Sequence, residues 1–377
     1  MPAQDRFRVD QATVSTLTFP WASLTHDHLT GEGALMTGPE DGAKPVEMRA
    51  QPASELVWQL ANAGFAARCL QVAAELGVAD RIDEAPVPVA ALASSCAVDI
   101  DALDRILRLL AVHGVFDRDA DCYGHTPASR LLRSDSAGSM RPYARLRGMP
   151  LLRGSVSELD RSVRIGRPAL EAVDSRGLWA YLNEHPDEAE MFDHAMTGKA
   201  IAGVAGVLAT YDFGRFTTIV DVGGGRGHLL RAVLDAAPSA TGVLFDLPEV
   251  IQRLQVGHQR MITTAGNFFA DPLPQAGAHV LMDVLHDWPD DECETILRAV
   301  RRAAPAGATL LVVEAIVPEG PVDPRTATLD VMMLVLTGGG RERTAGQLEA
   351  LLTRAGFVLE AVLDTPGPVR IAEARAV

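Results

Sequence analysis

The feature that most constrains this chain is the run Asp221-Val222-Gly223-Gly224-Gly225-Arg226-Gly227, set between the apolar stretch Thr218–Val222 and a helical stripe over 228–234. Backbone free of side chains lets a ligand come close to such a turn and to the helix N-terminus behind it. A purely structural strand-to-helix turn is the alternative. Further strands are expected at 242–245, 279–282 and 309–314, each followed by a helix-length segment. Short β-branched and leucine runs spaced in this way predict an α/β fold with a mostly parallel sheet covered on both faces. Ligands of such sheets bind in the loops after the strands.

A nicotinamide-binding loop wants G-x-G-x-x-G, and counting from Gly223 and Gly225 its last glycine is replaced by His228. The spacing present, D-x-G-x-G-x-G, resembles the S-adenosylmethionine-binding loop of methyltransferases. About twenty residues on, Asp246 ends the next strand in Phe245-Asp246-Leu247-Pro248, where a carboxylate can accept both hydroxyls of a ribose. A helix N-cap is the simpler role for an Asp before Leu-Pro. After the strand at 279–282 comes Leu285-His286-Asp287-Trp288-Pro289-Asp290-Asp291-Glu292. The acids after Trp288 read as a helix start favoured by the macrodipole. His286 falls where an α/β sheet places its active site, and imidazole takes up a proton near neutral pH.

The rest of the chain sets bounds. Its 377 residues suggest two domains, and 47% apolar with 22% charged residues is ordinary globular composition. A formal net charge of -15 disfavours a nucleic-acid partner, since phosphate binding rests on lysine and arginine. Lys44 and Lys199 are the only lysines, which reads as codon usage rather than site chemistry. Cys69, Cys96, Cys122 and Cys293 lack metal-site or disulfide spacing and are expected to be reduced and mostly buried. No apolar run approaches the roughly 18 to 20 residues of a membrane span, and no signal peptide opens the chain, so a cytoplasmic location is expected.

Residues 1–50 read as an irregular extension, whose His26 and His28 lack further ligands nearby. From Glu55, apolar residues recurring at three and four predict an amphipathic helix ended by Gly77. A second stripe (Leu103, Ile106, Leu107, Leu110) stops at Gly114. Val115-Phe116 and Tyr123 then flank a polar turn over 117–121, and Thr126-Pro127 opens another helix. Helix, helix, hairpin, helix is close to a winged-helix order, a DNA-reading arrangement that the acidic balance argues against.

The segments DVGGGRG, FDLPEVI, AGNFF, VLHDWPDDE, VVEAIVP and GGGRERT, in this order and roughly this spacing, resemble the plant and bacterial small-molecule O-methyltransferases of the caffeic acid and polyketide-tailoring type. The resemblance covers residues 51–377. It implies a winged-helix dimerisation domain over 51–200 and a Rossmann-like domain over 201–377 with a mostly parallel seven-stranded sheet. It also implies a homodimer that uses S-adenosylmethionine, forms S-adenosylhomocysteine and needs no metal.

By the same resemblance His286 is the general base, supported by Asp287, Glu314 and Glu342. Asp221, Gly223, Gly225 and Gly227 would meet the donor, Asp246 its ribose and Leu247 its adenine. Asn267, beside Phe268, stands where the family carries an acid for the adenine amine, and Met282 where many relatives carry a lysine. Phe192, Met196, Met333 and Thr337 fall on substrate-facing positions, although their helical spacing suits core residues equally well. The implied acceptor is a hydroxyl of a small aromatic molecule. Two rivals remain: a relative that keeps the donor but runs hydroxylation, decarboxylation or pericyclic chemistry, and a ligand-sensing winged-helix regulator.

Overall fold

The computed structural model describes residues 52–254 and 257–377, and the expected extension with His26 and His28 lies outside them. The chain divides into two compact units. One holds the described residues through Cys69 together with Ile82–Ala128, and the other holds Leu70–Arg81 and Ser129–Val377.

In the first unit β1 (Val87–Pro88), β2 (Phe116–Asp119) and β3 (Cys122–His125) form an antiparallel sheet in the order β1-β3-β2. The helix Ile100–Val112 starts at Asp99, whose carboxylate accepts the Ala102 amide at 2.9 Å, and it buries Leu103, Leu107 and Leu110. The hairpin turn is tighter than the sequence suggested. Asp117–Asp119 pair in β2, and only Ala120 and Asp121 turn, Ala120 with φ 53°. The three polar residues of β2 are exposed, so their composition mimicked a loop.

The helix Ala53–Leu76 forms as expected but buries only Ala73 and Ala74. Leu60 and Phe65 are 70% and 69% exposed, and Leu56, Val57 and Trp58 are exposed with them. Periodicity shows that a helix has an apolar face, not what covers it. The cysteines also differ from expectation: Cys293 is buried, whereas Cys69, Cys96 and Cys122 are half-buried, and none of the four is in a disulfide.

The second unit is built on a seven-stranded sheet in the order β6-β5-β4-β7-β8-β10-β9. Its strands are β4 (Thr218–Val222), β5 (Thr241–Asp246), β6 (Met261–Ala265), β7 (Ala278–Met282), β8 (Thr309–Glu314), β9 (Phe357–Asp364) and β10 (Arg370–Ala376). All pairings are parallel except those of β10 with β8 and β9. Alternate side chains enter opposite cores. Val220, Val222, Leu310 and Val312 pack with Ile296, Leu297 and Val300 of the helix Asp290–Ala303. Ile219, Val280, Leu311 and Val313 pack with Val204 and Val207 of the helix Pro186–Thr210. From β4 the chain winds outward through β5 and β6, then returns to β7 on the other side. The crevice at such a reversal, past the carboxyl ends of β4 and β7, is where doubly wound sheets hold ligands. Among the described residues, no helix is long and apolar enough to cross a membrane.

Candidate active site

A cavity of about 390 Å³ opens at this reversal. It is lined by Asp221, Gly223, Gly225, Asp246, Leu247, Asn267, Phe268, Met282, His286 and Asp287 from the strand ends, and by Phe192, Met196, Met333 and Thr337 from helices. Three other residues singled out from the sequence are not among the lining residues. Gly227 is the N-cap of the helix His228–Ala236, and a Cβ there would meet Leu244 at 3.1 Å. Glu314 and Glu342 sit buried behind His286.

The glycine turn needs its glycines. Gly223, Gly225 and Gly227 adopt φ of 70°, 56° and 67°, the left-handed region that side chains disfavour. A Cβ on Gly224 would meet the Asp221 carboxylate at 2.5 Å and Leu244 at 2.6 Å. Asp246 does not cap the following helix. Its two oxygens accept the amides of Gly225 and Leu247, each at 2.7 Å, which fixes the carboxylate beside the turn. Burial raises its pKa to about 6.

Asp221 is fully buried, and neither of its oxygens has a hydrogen-bond partner. Burial, with Asp246 adding to it, raises its pKa to about 7. Nδ1 of His228 is likewise buried without a partner, and burial holds that ring's pKa down to about 4. Buried polar atoms are almost always paired, so these orphans in a cavity wall suit a polar, positively charged ligand with ribose hydroxyls. S-adenosylmethionine carries a sulfonium, an ammonium, a carboxylate and a ribose diol, and its cationic and hydroxyl groups fit these orphaned atoms.

Asn267 is less free than its side chain suggests, because Oδ1 accepts the Phe269 amide at 2.9 Å. Met282 brings no charge, but Lys199 does. From the helix Pro186–Thr210 it reaches the cavity and pairs with Asp283 at 3.0 Å. Burial opposes the ammonium, yet Asp283 raises its pKa above the ordinary lysine value. Sequence reading passed over Lys199 as codon bias. The available signal was Asp283 directly after a strand, with no charge near it in sequence to balance it.

His286 lies in a short 3-10 turn (Leu285–Asp287) after β7, and the next segment is fixed from beneath. The buried Arg343 donates to the carbonyls of Leu285 at 2.8 Å and Trp288 at 2.7 Å, and to Asp290 at 2.9 Å. A Cβ on Gly340 would come within 2.4 Å of the His286 carbonyl, so only glycine lets the two segments touch. Nδ1 of the imidazole lies 2.9 Å from Oε1 of Glu342, and Nε2 lies 3.7 Å from Oδ1 of Asp287. Glu314 acts on the main chain: its Oε1 accepts the His286 amide at 3.1 Å. Burial works against the charged ring, but Asp287, Glu342 and Asp283 outweigh it and push its pKa up to about 10. Burial raises Glu314 to about 7 and Asp287 to about 6.

Aromatic rings complete the wall. Trp179 meets Phe192 edge-on at 5.7 Å and stacks near Trp288 at 6.4 Å, and Phe268 and Phe269 close on Trp288 at 6.0 and 4.8 Å. Among the described residues, no cluster of three or more His, Cys, Asp or Glu could hold a metal ion.

Residues 156–358 match the O-methyltransferase domain, and residues 58–135 match the O-methyltransferase dimerisation domain. The chain is 38% identical to a phenazine O-methyltransferase of Lysobacter antibioticus, over 87% of this chain and 98% of that protein. It is 35% identical to a mitomycin biosynthesis 6-O-methyltransferase of Streptomyces lavendulae, over 86% and 95%. An O-methyltransferase from neocarzinostatin biosynthesis, solved with S-adenosylmethionine and 2-hydroxy-5-methyl naphthoic acid, is 34% identical with a TM-score of 0.69, over 83% of this chain and 96% of that one. The chain belongs to the S-adenosylmethionine-dependent O-methyltransferase family.

Proposed function

We propose that the protein methylates a hydroxyl of a small aromatic molecule, with His286 as the general base. The observation that carries the reading is His286 at the cavity wall with Glu342 paired to it from behind. When bound, S-adenosylmethionine supplies an electrophilic methyl group on a positively charged sulfur. Glu342 accepts a hydrogen bond from Nδ1–H, which leaves Nε2 as the nitrogen that takes a proton from the acceptor hydroxyl. Glu342 and Asp287 then stabilise the imidazolium, while Glu314 and Arg343 keep its loop in place. Holding both reactants in one cavity contributes the orientation that the displacement needs. The Trp179, Phe192 and Trp288 rings favour a flat acceptor, and the naphthoic acid bound by the neocarzinostatin enzyme has that shape. Incubation with labelled donor and a panel of phenols, catechols and hydroxynaphthalenes is expected to yield labelled ethers. Label on nitrogen or carbon only, or none, would contradict the reading.

On the donor side, Asp246 is read as the ribose ligand. Asp246→Ala is expected to weaken S-adenosylmethionine binding roughly ten- to a hundredfold in calorimetry, the worth of a charge-assisted hydrogen bond. An unchanged Kd would remove Asp246 from the donor site.

The exposed apolar face of the helix Ala53–Leu76 lies partly within the segment that matches the dimerisation domain. Two copies burying such a face is the ordinary solution for a patch of this kind. Phe65→Asp is expected to convert the dimer to a monomer in light scattering. A mass unaltered by that charge would place the interface elsewhere.

A further inference from the structure

The helical half of the cavity contains a positive charge with no counter-charge. Arg147 ends the helix Arg141–Arg147 and lines the cavity beside Leu146, Leu152 and Leu178. Those leucines are buried members of an apolar cluster. On the same helix Arg141 pairs with Asp80, and Arg145 with Glu75 at 2.8 Å. Arg147 has neither an ion pair nor a hydrogen bond among the described residues. Burial pushes its guanidinium below the ordinary arginine range. One turn earlier, Tyr143 faces the same cavity, and its hydroxyl is also without a hydrogen bond among the described residues.

The other lysine and arginine charges of the wall are engaged or lie elsewhere. Lys199 is bound to Asp283, and Asp193 to Arg253 at 3.1 Å, while Arg226 belongs to the glycine turn. Arg147 is half-buried, and an unpaired guanidinium that has lost part of its hydration is stabilised by a ligand that supplies the opposite charge. The planar fork of a guanidinium matches a carboxylate with two parallel hydrogen bonds, and a phenol at i−4 can donate a third.

Building on the reading of this cavity as the methyl-acceptor site, we propose that Arg147 and Tyr143 form a carboxylate subsite, so that the acceptor is a hydroxylated aromatic acid. The acid group rests on Arg147 and Tyr143, and a separate hydroxyl on the same ring system faces His286. The ion pair forms within the cavity and involves no covalent step.

The test is calorimetry on the full chain loaded with S-adenosylhomocysteine. The probes are 3,4-dihydroxybenzoate, 1-hydroxy-2-naphthoate and 3-hydroxy-2-naphthoate, each against its methyl ester. At least one acid is expected to bind about tenfold or more tighter than its ester. Arg147→Gln should abolish that preference, Arg147→Lys should retain part of it, and Tyr143→Phe should reduce it. Ester binding and the melting temperature of the unliganded protein should not fall in Arg147→Gln, because no internal partner is lost. The proposal is overturned if no acid binds, if esters bind as well as acids, if the preference survives Arg147→Gln, or if that variant melts lower and loses S-adenosylhomocysteine. Binding to the product complex needs no proton transfer, so this result is independent of whether His286 is the base.

Discussion

His286→Ala should lower methyl transfer roughly a hundred- to ten-thousandfold, the usual worth of a positioned general base. Donor binding should be nearly unaltered, because the groups assigned to the donor are held without His286: Asp221 by its strand, Asp246 by the Gly225 and Leu247 amides, and the glycine turn by its backbone geometry. The loss should appear in single-turnover rates with both substrates saturating, which separates the chemical step from binding. A variant with turnover within a factor of a few of wild type would show that the acceptor oxygen loses its proton to another group or to water.

Glu342→Gln should have nearly as large an effect, roughly a hundred- to ten-thousandfold, because an amide can present its NH₂ to Nδ1 and stabilise the wrong tautomer. The pH profile distinguishes this from a general loss of structure. Asp287, Glu342 and Asp283 hold the unliganded imidazole near pKa 10, so it is protonated below that pH and kcat/KM should rise with pH through the alkaline range. Removing one carboxylate charge lowers the pKa, and the rising limb should move about one unit or more toward acid. A positive charge on a bound donor acts in the same direction, so the limb for kcat should lie below that for kcat/KM. A Glu342→Gln limb unmoved, or moved toward alkali, would mean that Glu342 does not set the protonation of the base.

Much of this site could be read from the sequence because its parts are local. Strand, glycine turn and helix follow one another between Thr218 and Ala236, and Asp246 and His286 each come directly after a strand, so chain order alone brings them to one edge of the sheet. The residues that escaped notice act across long separations. Lys199 meets Asp283 from a helix more than eighty positions earlier, and Arg343 holds the His286 loop from beyond β8. Arg147 and Tyr143 are separated in sequence from every strand end, and a pattern at i and i+4 on a short helix does not tell a cavity wall from a surface. The first helix shows the same limit in reverse. Its periodicity was sound, but the face it marked is exposed in the single chain.

The central claim, an acceptor hydroxyl delivered to the imidazole of His286, is tested most directly by a crystal structure with S-adenosylhomocysteine and an acceptor found in the phenol panel. The account predicts the oxygen that becomes methylated within about 3.2 Å of Nε2, with Nδ1 still on Glu342. An acceptor seated with that oxygen turned away from the ring, or a ring rotated off Glu342, would contradict it.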